Sequence, residues 1–160
     1  MKKIFRYIVF YLVECTWGIL STLVGAICAL AMLITGHKPK MVGPFIQFVS
    51  RKEGGWGFSG GLFIFTSKDC EFHYHTLAHE MGHGSLQLWL LGPLQLFLVS
   101  IPSVIRFWYR EWLVSSRRKR WSELPPYDSI WFEGTATKWG TIYAKRLKKY
   151  GYLGEDFVID

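Results

Sequence analysis

The residues best suited to chemistry are His79, Glu80 and His83, in the run His79-Glu80-Met81-Gly82-His83. On a helix, positions i and i+4 share a face, so both imidazoles can point at one ion. Zn2+ suits them, with each nitrogen about 2.0–2.1 Å from the metal. Glu80 lies one residue step around the helix, beside a water held at that ion. There its carboxylate can take the water's proton as the oxygen attacks a carbonyl carbon.

A catalytic zinc needs a third protein ligand. Glu133 is the leading candidate, a lone acid in Trp131-Phe132-Glu133-Gly134-Thr135-Ala136-Thr137. An acid among apolar and small residues costs free energy unless it has a partner, and a metal is such a partner. Asp128 is the alternative, either as the ligand or as an acceptor for one of the zinc histidines. His75 shares the face of His79 and His83, but eight helical residues rise about 12 Å, too far for one ion to take all three. His75 therefore reads as facing substrate, supporting a ligand, or lying at the surface, and His73 reads as surface.

These residues need elements to position them. A helix is expected from about Phe72 to Leu91, stopped by Gly92-Pro93, and another from about Ser129 to Tyr150 after the turn Pro125-Pro126. Phe45–Val49 and Leu62–Thr66 read as strands of an antiparallel pair joined by a glycine-rich connection. From Cys15 to Thr35 there is no charge, in a run long enough to cross a bilayer, which takes about 20 residues. The apolar stretch 86–108 is interrupted by Gly92, Pro93 and Pro102, which argues for a re-entrant or membrane-embedded segment that does not cross. The expected fold is thus mainly α with a small antiparallel β hairpin or sheet. It divides into an N-terminal transmembrane helix (1–36) and a helical core (37–160).

Composition points the same way. Half of the 160 residues are apolar and 18% are aromatic, which suggests a lipid-facing surface. The net charge of +7 gathers around apolar runs, at Lys2, Lys3 and Arg6, at Lys38 and Lys40, and in the block Arg117-Arg118-Lys119-Arg120. That pattern fits anionic headgroups, and with no recognition module around the block nucleic acid is not an expected partner. Ser21, Gly25 and Ala29 recur at every fourth position and offer either a helix–helix contact or a lipid-facing strip. Glu14, near the start of the run, either reaches the interface or is buried with a role. Three cysteines form neither a disulfide framework nor a zinc pair.

The helix pair resembles the gluzincin arrangement, in which HExxH is followed downstream by a helix bearing a third-ligand Glu. More closely, His79 through Ser103 resembles small membrane-associated metallopeptidases with an HExGH helix. In those proteins a Gln, a Gly-Pro-Leu turn and an Ile-Pro-Ser step follow, here Gln87, Gly92-Pro93-Leu94 and Ile101-Pro102-Ser103. The resemblance spans residues 75–140 and implies zinc ligation by His79, His83 and Glu133, with Glu80 catalytic. Thr137 stands where gluzincins commonly carry an Asp four residues after the Glu. The Asp-Gly motif of site-2 proteases is absent. A zincin-like core also implies an extended peptide or protein substrate lying along an edge strand.

The expected function is a zinc-dependent peptidase at a membrane, such as a bacterial inner membrane, with membrane lipid as its other partner. The alternative is a non-catalytic membrane protein with a structural zinc site, or a module binding lipid or a partner at the interface. Gently purified protein should contain about one zinc per chain by elemental analysis, and His83→Ala should lose most of it. A metal-free wild type would refute the assignment of these ligands.

Overall fold

The strands follow from period-two patterning with both faces covered. The computed structural model describes residues 2–70, 74–154 and 157, so His73 and the first residues of the expected motif helix lie outside the described residues. Four strands form one mixed sheet in the order β1-β2-β4-β3: β1 (Pro39–Val42), β2 (Phe45–Val49), β3 (Gly57–Gly60) and β4 (Phe63–Thr66). Along β2 and β4, Phe45 and Ile64 enter one core, while Phe48 and Phe65 enter another on the opposite face.

One strand direction differs from the sequence reading. β2 and β4 run parallel, with Ile46 opposite Phe63. The glycine-rich connection contains a strand of its own, β3, which the tight turn Gly61-Leu62 pairs antiparallel with β4. That leaves β4 only its other edge for β2, and the path around β3 brings the two in parallel. Gly61 is required at this turn, because its φ is +56° and a Cβ would stand 2.3 Å from the Thr22 hydroxyl.

Helices cover both faces. The first core joins the sheet to α1 (Lys2–Cys15), α3 (Tyr74–Gly82) and α6 (Trp131–Lys149) through Phe10, Leu77, Met81, Ala144 and Leu147. The second joins it to α2 (Ile19–Ile34) through Ala29. After α3 the chain makes a π turn, His83–Gln87, then a short α4 (Leu88–Leu91). It breaks at Gly92, whose φ is +55°. A second π turn, Leu96–Ser100, leads into α5 (Ile101–Ser115), with Pro102 in its first turn.

The N-terminal run is not one helix. α1 and α2 meet at 91°, and among the described residues no single helix is long and apolar enough to cross a membrane, although the bent pair has the length and composition of a broken span. Both helices expose large apolar side chains; the buried face of α2 is polar or small, while α1 buries Phe10 beside Glu14. Ile4, Phe5, Ile8 and Leu12 are exposed on α1, as are Leu23, Ile27 and Leu30 on α2, whereas Glu14 and Ser21 are buried. The stripe Ser21, Gly25, Ala29 is covered by the chain's own sheet: a Cβ on Gly25 would stand 2.2 Å from the Gly60 carbonyl oxygen.

The tightest contact joins α3 to α6. A Cβ on Gly82 would fall 2.0 Å from the Ala136 carbonyl oxygen, and one on Gly140 only 1.8 Å from that of Ala78. Backbone on both sides leaves no flexible atom to yield. Gly140→Ala should therefore destabilise the fold by about 3 kcal/mol, read as a Tm lower by roughly 5–10 °C. An unchanged Tm would show that the helices can part freely.

Candidate metal centre

The α3–α6 contact decides what faces what. His79 and His83 project from α3 and its π turn, and Glu133 projects from the first turn of α6. The three side chains converge among the described residues as one group able to hold a metal ion. His79 Nε2 and His83 Nε2 are 3.1 Å apart, and Glu133 Oε2 lies 3.1 Å from the first and 3.2 Å from the second. Three corners of a zinc tetrahedron would have edges of about 3.3 Å at ordinary bond lengths.

Hydrogen bonds behind the rings fix what those nitrogens offer. Thr137 Oγ1 donates to the Glu133 carbonyl at 3.2 Å, so it accepts from His79 Nδ1 at 2.9 Å. The amide oxygen of Gln87 accepts from His83 Nδ1 at 2.6 Å, while its nitrogen donates to the Phe132 carbonyl at 2.8 Å and to Thr135 Oγ1 at 2.9 Å. With both Nδ1 atoms protonated in this network, each Nε2 presents a lone pair. Two lone pairs and a carboxylate oxygen then face one another in a nearly buried space, an arrangement that calls for a cation. The donor set fits zinc.

The local electrostatics agree. Burial alone would raise the Glu133 pKa, but the His79 and His83 rings, donating to it when protonated, and the Ser103 hydroxyl outweigh it and hold the carboxyl well below its usual range. Burial disfavours a charged His83, yet the Glu133 hydrogen bond and the Glu80 and Glu133 carboxylates raise its pKa overall. Positive charge is favoured at this point. A proton can bridge one pair of the donors, whereas a divalent ion serves all three.

Glu133 is anchored from α5. Ser103 Oγ donates to Glu133 Oε1 at 2.5 Å and receives the Tyr127 hydroxyl at 3.2 Å. Burial, followed by the Glu133 charge, pushes the Tyr127 phenol up to about 12, so it remains a donor. Arg106 donates to the carbonyls of Pro126 and Tyr127 at 3.2 and 3.1 Å, and Arg110 to that of Pro125 at 2.7 Å. Ser103, Arg106 and Arg110 thus fasten the 125–129 loop to one face of α5.

Glu80 lines the same cleft, a cavity of about 1090 Å³, and is 5% exposed. Burial pushes its pKa up, against the pull of the His79 and His83 rings. β3 makes room for it: a Cβ on Gly57 would stand 2.6 Å from Glu80 Oε1. His75 and Asp128 also line the cleft but stay outside the converging group, and both are exposed. Between the two acids, Glu133 is the one beside the histidines.

The sequence reading passed over Tyr127, Gly57 and the two arginines, since Pro125-Pro126 signals only a turn and a glycine in a strand only a bulge. Thr137 lacks the carboxylate that the resemblance places there, yet its hydroxyl does the orienting. No protein-family model matches the chain, and neither a curated protein nor a solved structure shows significant similarity to it. Thr137→Val keeps the shape and removes the acceptor. It should weaken zinc binding about 10–100-fold with the fold intact, measured by competition with a chelating dye. Unchanged affinity would remove Thr137 from the centre.

Proposed function

We propose that the chain is a membrane-associated, zinc-dependent peptidase with His79, His83 and Glu133 as metal ligands and Glu80 as general base. The observation that carries this reading is the convergence of three acceptor atoms beside a buried carboxylate, in a cleft large enough for a peptide. A bound zinc would polarise a scissile carbonyl and bring the pKa of a water to about 7. Glu80 receives the proton of the attacking water and passes it to the leaving amine. Thr137 and Gln87 keep the imidazoles in the ligating tautomer, and Ser103 keeps Glu133 turned inward. Among the described residues β3 has a strand neighbour on one side only, and Gly57, Phe58 and Ser59 border the cleft, so an extended substrate has a backbone edge to pair with.

A purely structural zinc site is closed by four protein ligands and needs no base. Among the described residues the group has three, and it opens into a cleft that Glu80 shares. The membrane part of the reading rests on the inverted patterning of α1 and α2, whose large apolar side chains face outward. Glu80→Gln should retain zinc and fold while hydrolysis of a mixed peptide library falls by about 100-fold or more, followed by mass spectrometry. Undiminished cleavage in that variant would move the chemistry elsewhere.

A further inference from the structure

One wall of the metal cleft is shared. Phe58 of β3, with Ser100 and Val104 at the start of α5, also lines a second hollow of about 200 Å³ on the outer side. Its remaining walls come from Val24 of α2 and from Leu96, Ile101 and Ile105. The hollow presents only apolar surface, and its volume is about that of seven waters. Water there would find no partners, whereas an aliphatic side chain or two would fit.

The hollow opens on a flank that is apolar well beyond its rim. Leu23 and Ile27 are 51% and 70% exposed on α2, and Phe97 and Ile105 are 58% and 63% exposed on the other side. No charged residue occurs in Ile19–Ile34 or from Leu88 to Ile105. The rest of the cleft lining is different in kind, for it includes His75, Arg110, Glu111 and Asp128. Ionisable groups and an uncharged flank therefore lie on the two sides of one shared wall, formed by Phe58, Ser100 and Val104.

We propose that the substrate is the apolar, membrane-embedded segment of a peptide, which reaches the metal cleft sideways from the bilayer through the hollow between α2 and α5. This rests on the zinc-peptidase reading. A soluble peptide would gain nothing from an uncharged flank on both sides of the opening. A segment already in the bilayer keeps its apolar residues in apolar surroundings all the way to the cleft, and only the peptide bond to be cut meets the polar groups.

The test uses zinc-loaded protein in phosphatidylcholine nanodiscs and two zinc-binding probes. One is acetohydroxamate. The other is an oligoleucine peptide with a C-terminal hydroxamate and a lysine anchor at its far end. If the cleft is open to the bilayer, the inserted probe engages membrane and metal together, and effective concentration should tighten its apparent Kd by about 100-fold over acetohydroxamate. Ile105→Trp and Ile101→Trp, at exposed positions that line the hollow alone, should abolish that gain and leave acetohydroxamate affinity unchanged. Equal affinity of the two probes in the wild type, or a gain that survives both variants because the probe merely adsorbs to lipid, would overturn the proposal. Failure of acetohydroxamate to bind the wild type would instead remove the zinc reading beneath it.

Discussion

The close approach of α3 and α6 is the constraint on which the rest depends. At Gly82, Ala136, Gly140 and Ala78 the two backbones come together with no side chain between them. A helix pair ordinarily packs 8–10 Å axis to axis, set by the side chains at the crossing. Glycines bring the axes to the short end of that range, and only then does a Glu in the first turn of α6 reach imidazoles on α3. The sheet supports α3 from below through Leu77, Ala78 and Met81, and α5 closes over the far side of Glu133. Position, rather than any single strong bond, makes the acid and the two histidines one group.

Beside its apolar core, the N-terminal half is tied to the rest of the chain by buried polar contacts. Trp89 donates to Glu14 at 3.0 Å. Ser21 donates to the Gln95 side chain at 2.7 Å, and Gln95 in turn donates to the His83 carbonyl at 3.1 Å. That second chain ties α2 through Gln95 to the backbone of His83, so the outward-facing helices and the candidate site are one mechanical unit.

Much of this was legible from local pattern. The i, i+4 histidines, the isolated Glu133 and the break at Gly92-Pro93 each carry their meaning within a few residues, and the structure brings the first three together and breaks the chain at Gly92, whereas Pro102, read as a second break, lies inside α5. What was not legible depends on partners far away in sequence. The direction of β2 against β4 is set by β3, a strand whose glycines disguise it as a loop. The right-angle turn between α1 and α2 lies within an unbroken apolar run, where hydropathy carries no signal, and it shows only in the packing of Gly18 against Leu88. Thr137 looks like a loss when compared with an Asp, because a sequence does not reveal that one lone pair is all the imidazole requires.

The span between the two ligand helices also has an energetic meaning. His83 and Glu133 are separated by the second π turn, α5 and the arginine-clamped loop. An ion shared between them would act as a cross-link closing roughly fifty residues, which on the chain-entropy scale for such closures amounts to about 4 kcal/mol. Much of that stretch is uncharged and outwardly apolar, with little soluble core of its own to fold around. A metal bound there would add to the hydrogen bonds that already dock α5, so a chelator would then loosen the whole arm as well as emptying the centre.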